Sequence, residues 1–169
     1  LIAKSIIEDN ICEENIGPGI DVEIASGVIV RRNRSSRNGE AGLLVSISQG
    51  CDVYENTLEQ NAFGIDLFLD CQRLAEHYPP HPDPDLANNS FHDNSIVVGP
   101  GQLAVNFALM GGCGAPYIAR LKGNRFERNA YTVPDAGAYW IWGDGQKKTF
   151  PQWQALGFDT GAQPPDPGP

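Results

Sequence analysis

Apolar and polar residues alternate along this chain in blocks that recur. Four segments carry the clearest version: Gly19-Ile20-Asp21-Val22-Glu23-Ile24, Gly42-Leu43-Leu44-Val45-Ser46-Ile47, Gly64-Ile65-Asp66-Leu67-Phe68-Leu69 and Ala104-Val105-Asn106-Phe107-Ala108-Leu109. A period of two marks a strand with one buried face. The inward sets are Ile20/Val22/Ile24, Leu43/Val45/Ile47, Ile65/Leu67/Leu69 and Val105/Phe107/Leu109. A slip of one residue would turn each set toward water, so the register is strongly specified.

A polar marker precedes each of these strands. Ten of the 12 Asn residues form five pairs with five-residue spacing: Asn10/Asn15, Asn33/Asn38, Asn56/Asn61, Asn89/Asn94 and Asn124/Asn129. Chance placement would give roughly one such pair, so the chain is a repeat. In phase with the first Asn, Ile7, Val30, Val53 and Leu121 stand three before it. Cys12, Ser35, Leu58, Phe91 and Phe126 stand two after it. Units repeated in one sense stack their equivalent strands in parallel, about 4.8 Å apart. Asn suits the corners on two counts. It tolerates left-handed backbone angles, and its amide can bond the Asn above and below.

The pattern Val-x-x-Asn-x-x-x-x-Asn followed by Gly-Ile or Gly-Leu resembles the right-handed parallel β-helix repeat proteins of the pectin-lyase-like superfamily, over roughly residues 3 to 142. The fold expected is all-β: a right-handed parallel β-helix of about five coils, closed by a C-terminal aromatic cap. Ala138-Tyr139-Trp140-Ile141-Trp142 reads as a last strand. Thr149 to Gly157 reads as a short helix, with Thr as cap, Pro151 in the first turn and Gly157 as stop. All three Trp residues lie here, where a solenoid must cover the open end of its core. Residues 1–162 are therefore expected to form one β-helix domain with its cap, and 163–169 a Pro-rich, disordered tail or linker. Leu1 opens directly into an apolar segment, so missing upstream coils, or another chain, are expected on the N-terminal edge.

Composition narrows the partners. Asp and Glu outnumber Lys and Arg by 21 to 12, giving a net charge of −9. That opposes nucleic acid, which needs a basic surface, and opposes an anionic membrane surface. No apolar run has the length of a membrane span. Two insertions, about Cys71–Asp85 and Met110–Pro116, each carry one Cys. A Cys71–Cys113 disulfide joining them is one expectation and two free thiols the other; Cys12 and Cys51 read as core.

The resemblance implies a site on the exposed face of one sheet, in a groove walled by loops. Stacked in register, Asp21, Leu44, Asp66 and Asn106 form one outward row, and Glu23, Ser46, Phe68 and Ala108 the next. Asp66 and Asp70 share a strand face, and a carboxylate pair is what glycoside hydrolysis requires. His77, on the loop leaving that strand, is a candidate base. Asp66, Asp70 and His77 are thus the catalytic candidates. Asp21, Phe68, Arg73, His81 and Asn106 are the substrate-binding candidates, and Ca²⁺ at Asp66 and Asp70 is an alternative use of the carboxylates. The groove strands hold no Lys or Arg, a departure from the basic residue typical of the superfamily's lyases. The function expected is that of a secreted or cell-surface protein acting on polysaccharide, as lyase or glycoside hydrolase. The alternative is a non-catalytic carbohydrate-binding, surface or assembly module.

Overall fold

The computed structural model describes residues 5–70, 86–110 and 121–168, without the side chains of 108–110. Within them the chain winds through five coils, and each coil adds one strand to each of three sheets. The first sheet stacks β1 (Ile6–Glu8), β4 (Ile29–Arg31), β7 (Asp52–Tyr54), β10 (Ser90–His92) and β13 (Arg125–Glu127). The second stacks β2 (Ile11–Glu13), β5 (Arg34–Ser36), β8 (Thr57–Glu59), β11 (Ser95–Val97) and β14 (Ala130–Val133), and ends on β17 (Asp166–Pro167). The third stacks β3 (Ile20–Glu23), β6 (Ala41–Ser46), β9 (Phe63–Asp70), β12 (Leu103–Met110) and β15 (Ala138–Ile141), and ends on β16 (Lys147–Thr149). Every pairing is parallel except β15 with β16. A parallel β-helix is therefore the architecture, as the repeat requires.

The alternation sorts as expected. Ile20, Val22, Leu43, Val45, Ile47, Ile65, Leu67, Leu69, Val105 and Phe107 are all buried in one core. Ile24 departs from its inward set: it sits in a left-handed corner at φ 51° and is exposed. Gly42 explains the glycine that follows the Asn pair in the first three coils. A Cβ there would lie 2.5 Å from the Asn61 amide nitrogen, inside the ladder of the next coil.

The asparagines form hydrogen-bonded ladders, with a phase different from the expected one. In the first ladder Asn10, Asn33, Asn56, Asn94 and Asn129 follow one another. Each donates its backbone N–H and its side-chain amide to the Oδ1 of the next, at 3.0–3.1 Å. A second ladder runs Asn15–Asn38–Asn61. Asn89 stacks not on Asn56 but over Cys51, whose N–H it accepts at 2.9 Å, and is followed by Asn124. The repeat has three corners rather than two, and successive corners around β7 and β8 are five residues apart: Cys51, Asn56 and Asn61. A pair spaced by five therefore fits two phases, and the last two pairs take the other one. Phe91 and Phe126 accordingly line up with Val53 and Val30 rather than with Leu58.

The left-handed angles fall elsewhere as well. None of the ladder asparagines has positive φ. The residue just before each does: Asp9, Arg32, Glu55, Asp93 and Arg128 have φ between 54° and 58°. Ladder Asn side chains satisfy buried carbonyls, and the preceding residue makes the turn. Those turning residues carry charges that pair across coils, as in the two-pronged Arg32–Asp9 and Arg128–Asp93 contacts.

At the C-terminal end the core widens into aromatic rings. Phe91 stacks on Phe126 with centroids 4.7 Å apart, and Phe126 meets Trp142, Trp153 and Phe158. A short helix, α1 (Phe150–Ala155), buries Phe150 and Trp153, with Thr149 as N-cap and Pro in its first turn. Trp140 and Trp153 are 1% and 0% exposed, so these two rings close the core. The tail also departs from the expected linker, since Asp166 and Pro167 pair with β14 and cover that sheet's edge.

Asp159 ends the first ladder. One carboxylate oxygen accepts both donors of Asn129 at 3.1 Å, and the other accepts Tyr131 Oη–H at 2.8 Å and Trp153 Nε1–H at 3.0 Å. Its side chain is fully enclosed. Four donors converge on an acceptor-only group, and removing it orphans all four. Asp159→Ala is expected to cost at least about 3 kcal/mol in urea unfolding, at about 1–3 kcal/mol for each buried donor left unpaired. Asn56→Ala, which breaks a middle rung, is expected to cost about 1–3 kcal/mol for each buried group left unpaired.

Candidate functional site

The third sheet carries the site residues read from the sequence. Along β9 the side chains of Asp66, Phe68 and Asp70 alternate outward against inward Ile65, Leu67 and Leu69. The pairing places Asp21, Leu44, Asp66 and Asn106 in one row across four coils. Glu23, Ser46, Phe68 and Ala108 form the next row, and Asp70 pairs with Met110. Asp21, Asp66, Phe68, Asp70 and Asn106 thus share one outer face. His77, His81, Arg73, Cys71 and Cys113 lie outside the described residues. Cys12 is half-buried and Cys51 buried, both are free thiols packed at the core, and burial pushes the Cys51 thiol up.

Asp66 is chemically distinct from an ordinary surface carboxylate. Burial pushes its carboxyl up to about 7. A hydrogen bond from the Asn106 amide, 2.8 Å away on β12, works against that shift, and the Glu40 carboxylate adds to it. Such a group is divided between acid and anion near neutral pH, the condition for giving or taking a proton. Asp70 stands four residues along the same strand, so the two Cα atoms are about 13 Å apart.

The sequence reading missed a second constellation, on the outer face of the first sheet. Glu8 pairs with Arg31 at 2.8 Å, Arg31 donates to Tyr54 Oη at 2.8 Å, and Tyr54 stacks on His92 with centroids 5.0 Å apart and planes 6° from parallel. His92 lies against Asp93 through Nδ1 at 2.7 Å and against Asp52 through Nε2 at 3.0 Å. A shallow cleft of about 400 Å³ opens here, with Asp52, Ser90, His92 and Arg125 in its wall. Asp-x-Tyr at 52–54 and Ser-x-His at 90–92 were visible as alternating outward residues. The assumed phase put them in different sheets, so their adjacency was hidden. Ser90 and His92 do not make a nucleophile–base couple, because both imidazole nitrogens already face carboxylates.

Among the described residues no group of three or more His, Cys, Asp or Glu gathers in a way that could hold a metal ion, so Asp66 and Asp70 have no third such ligand there. No helix among them is long and apolar enough to cross a membrane. A separate cavity of about 390 Å³ lies in the cap, walled by Trp140, Phe150 and the prolines of the tail.

Compared with known proteins, the chain is matched over residues 3–150 by a family model described as the right-handed β-helix region. No curated protein and no solved structure matches it.

The raised Asp66 group gives stability a defined pH dependence. Its folded value, about 7, lies above the ordinary 3.8, so the folded state holds the proton more tightly between those limits. Asp66 therefore favours folding at the acid end of that window and progressively less as pH rises through about 7. Asp66→Asn, which cannot ionise, is expected to flatten this decline and to exceed the wild type in stability above that pH. Urea midpoints at several pH values check it, and identical slopes for the two proteins would refute it.

Proposed function

The chain belongs to the right-handed β-helix family, and we propose that it is an extracellular polysaccharide-active member, in which Asp66 is the proton donor or acceptor. The family's fold supplies a scaffold and not a chemistry, so the reading rests on one observation. A carboxyl on the outer face of a sheet is held up to about 7 by burial, with a neighbouring amide fixing its orientation. In glycoside cleavage an acid of this kind protonates the leaving oxygen. Asp70 and His77 are the candidates for the second role, base or nucleophile. Asp21, Phe68, Asn106, Arg73 and His81 are assigned to binding the chain on either side, and Ca²⁺ at Asp66 and Asp70 stays an alternative use of the two carboxylates. Secretion or display at the cell surface goes with the proposal. An upstream coil, or another chain, is proposed on the edge formed by β1, β2 and β3.

A second reading, a non-catalytic carbohydrate-binding or assembly module, is favoured by the roughly 13 Å strand separation of Asp66 and Asp70. Carboxyls that act on one glycosidic bond stand ~5–9.5 Å apart, so from that backbone spacing the two side chains would have to lean toward each other to share one bond.

A screen of neutral and acidic polysaccharides, scored for reducing ends and for unsaturated products, separates the two. The expected result is turnover that Asp66→Asn lowers at least about 100-fold. The rate should also fall as pH rises above about 7, where the acid loses its proton. Undiminished turnover in Asp66→Asn removes Asp66 from the chemistry, and binding without turnover selects the module.

A further inference from the structure

The cap cavity lies apart from the groove of the third sheet and has the character of a binding pocket. Its volume, about 390 Å³, falls within the roughly 300–1,000 Å³ of small-molecule sites. Trp140 and Phe150, 1% and 6% exposed, belong to the core and make its floor, with ring centroids 5.3 Å apart. Pro151 of α1 and Pro164, Pro165 and Pro167 of the tail stand in its walls.

Three pieces of chain build the pocket, and each is fixed on its own account. α1 is anchored by Phe150 and Trp153 in the core. The tail is held by β17 on β14, and Gly168 N–H donates to the Val133 carbonyl at 2.8 Å. The turn at Asp135 is held by its own carboxylate: one oxygen accepts Gly137 N–H at 2.7 Å and Tyr139 Oη–H at 2.8 Å. Walls fixed before a ligand arrives need little ordering when it binds.

The polar groups of the wall select the ligand. Proline has no N–H, so the four prolines bring carbonyl acceptors and no donor. Gln154 Nε2 donates to the Asp159 carbonyl at 3.0 Å, which leaves its Oε1 as a further acceptor. The second oxygen of Asp135 accepts no hydrogen bond among the described residues, and Asp135 makes no ion pair among them. No Lys or Arg lines the cavity. An apolar pocket edged by an unspent carboxylate oxygen complements a molecule with an apolar body and a positively charged N–H head. We propose that the cap cavity binds an organic ammonium ion, its apolar or aromatic body over Trp140 and Phe150 and its head at Asp135. The proposal is independent of the saccharide reading of the β9 groove.

Calorimetric titration of the full chain tests this with three probes of similar shape: 2-phenylethylammonium, neutral 2-phenylethanol and anionic 3-phenylpropanoate. The ammonium ion is expected to bind about tenfold more tightly than the alcohol, and the anion more weakly than either. Asp135→Asn keeps an oxygen for Gly137 and Tyr139 and replaces the free oxygen with an amide. It is expected to weaken the ammonium ion about tenfold and to leave the alcohol unchanged. Ala136→Phe, at an exposed position of the wall, is expected to weaken both ligands by filling the pocket, with the thermal midpoint of unfolding unchanged. Binding of none of the probes overturns the proposal, as does binding of the alcohol or the anion as tight as that of the ammonium ion. Ammonium affinity unchanged in either variant overturns it equally. Where a variant's midpoint falls, the ranking of the three probes on the wild type decides alone.

Discussion

Every coil of this protein is held to the next by a directed hydrogen bond at its corner. A ladder asparagine donates its backbone N–H and one amide proton forward, to a single oxygen on the following coil. Its remaining amide proton returns to backbone carbonyls, as Asn56 does to Val30 and Tyr54. The corner backbone is buried, so these groups have no recourse to water, and a filled rung satisfies them. The short strands of the first two sheets, three residues long in most coils, follow from that. With the corners fixed, little ladder is needed between them.

That division of labour decides what the chain could announce in advance. Alternation is a property of single strands, so the core rows from Ile20 to Phe107 were legible. The helix around Trp153 was legible too, because Thr149, Pro151 and Gly157 each act locally. Phase was not. Corners recur every five residues on two sides of the coil, and Asn89 serves a corner occupied by Cys51 in the coil before it. Asp159 carried no signal, since nothing in the sequence around it distinguishes an enclosed acceptor from a surface acid. Ile24 lies just past its strand at a left-handed corner; Ile47 holds the same corner one coil on and is buried, so place in the stack, which the alternation does not encode, separates the two.

The outer faces follow from the same rigidity. Stacking in register makes rows of side chains across coils, at a spacing set by backbone hydrogen bonds and not by side-chain choice. One such row brings Asn106 to Asp66, and another brings His92 to Tyr54. Asp66, Phe68 and Asp70 were legible as outward residues of one strand. The partner that orients Asp66 was visible only as a register neighbour, and the enclosure that shifts its acidity depends on the assembled face. The His92 network shows the converse. Residues forty positions apart in the sequence, Asp52 and His92, touch at 3.0 Å because one coil lies on another.

A carboxylate at the final rung ends the first ladder. Each asparagine both receives the pattern and transmits it, so duplicating a coil at any boundary before Asn129 would insert a unit that fits both neighbours. Asp159 receives and cannot transmit, because it has no proton to hand on when ionised. A coil added upstream therefore meets donors and acceptors on both sides, whereas one added after Asp159 meets an acceptor with no side-chain proton to pass on.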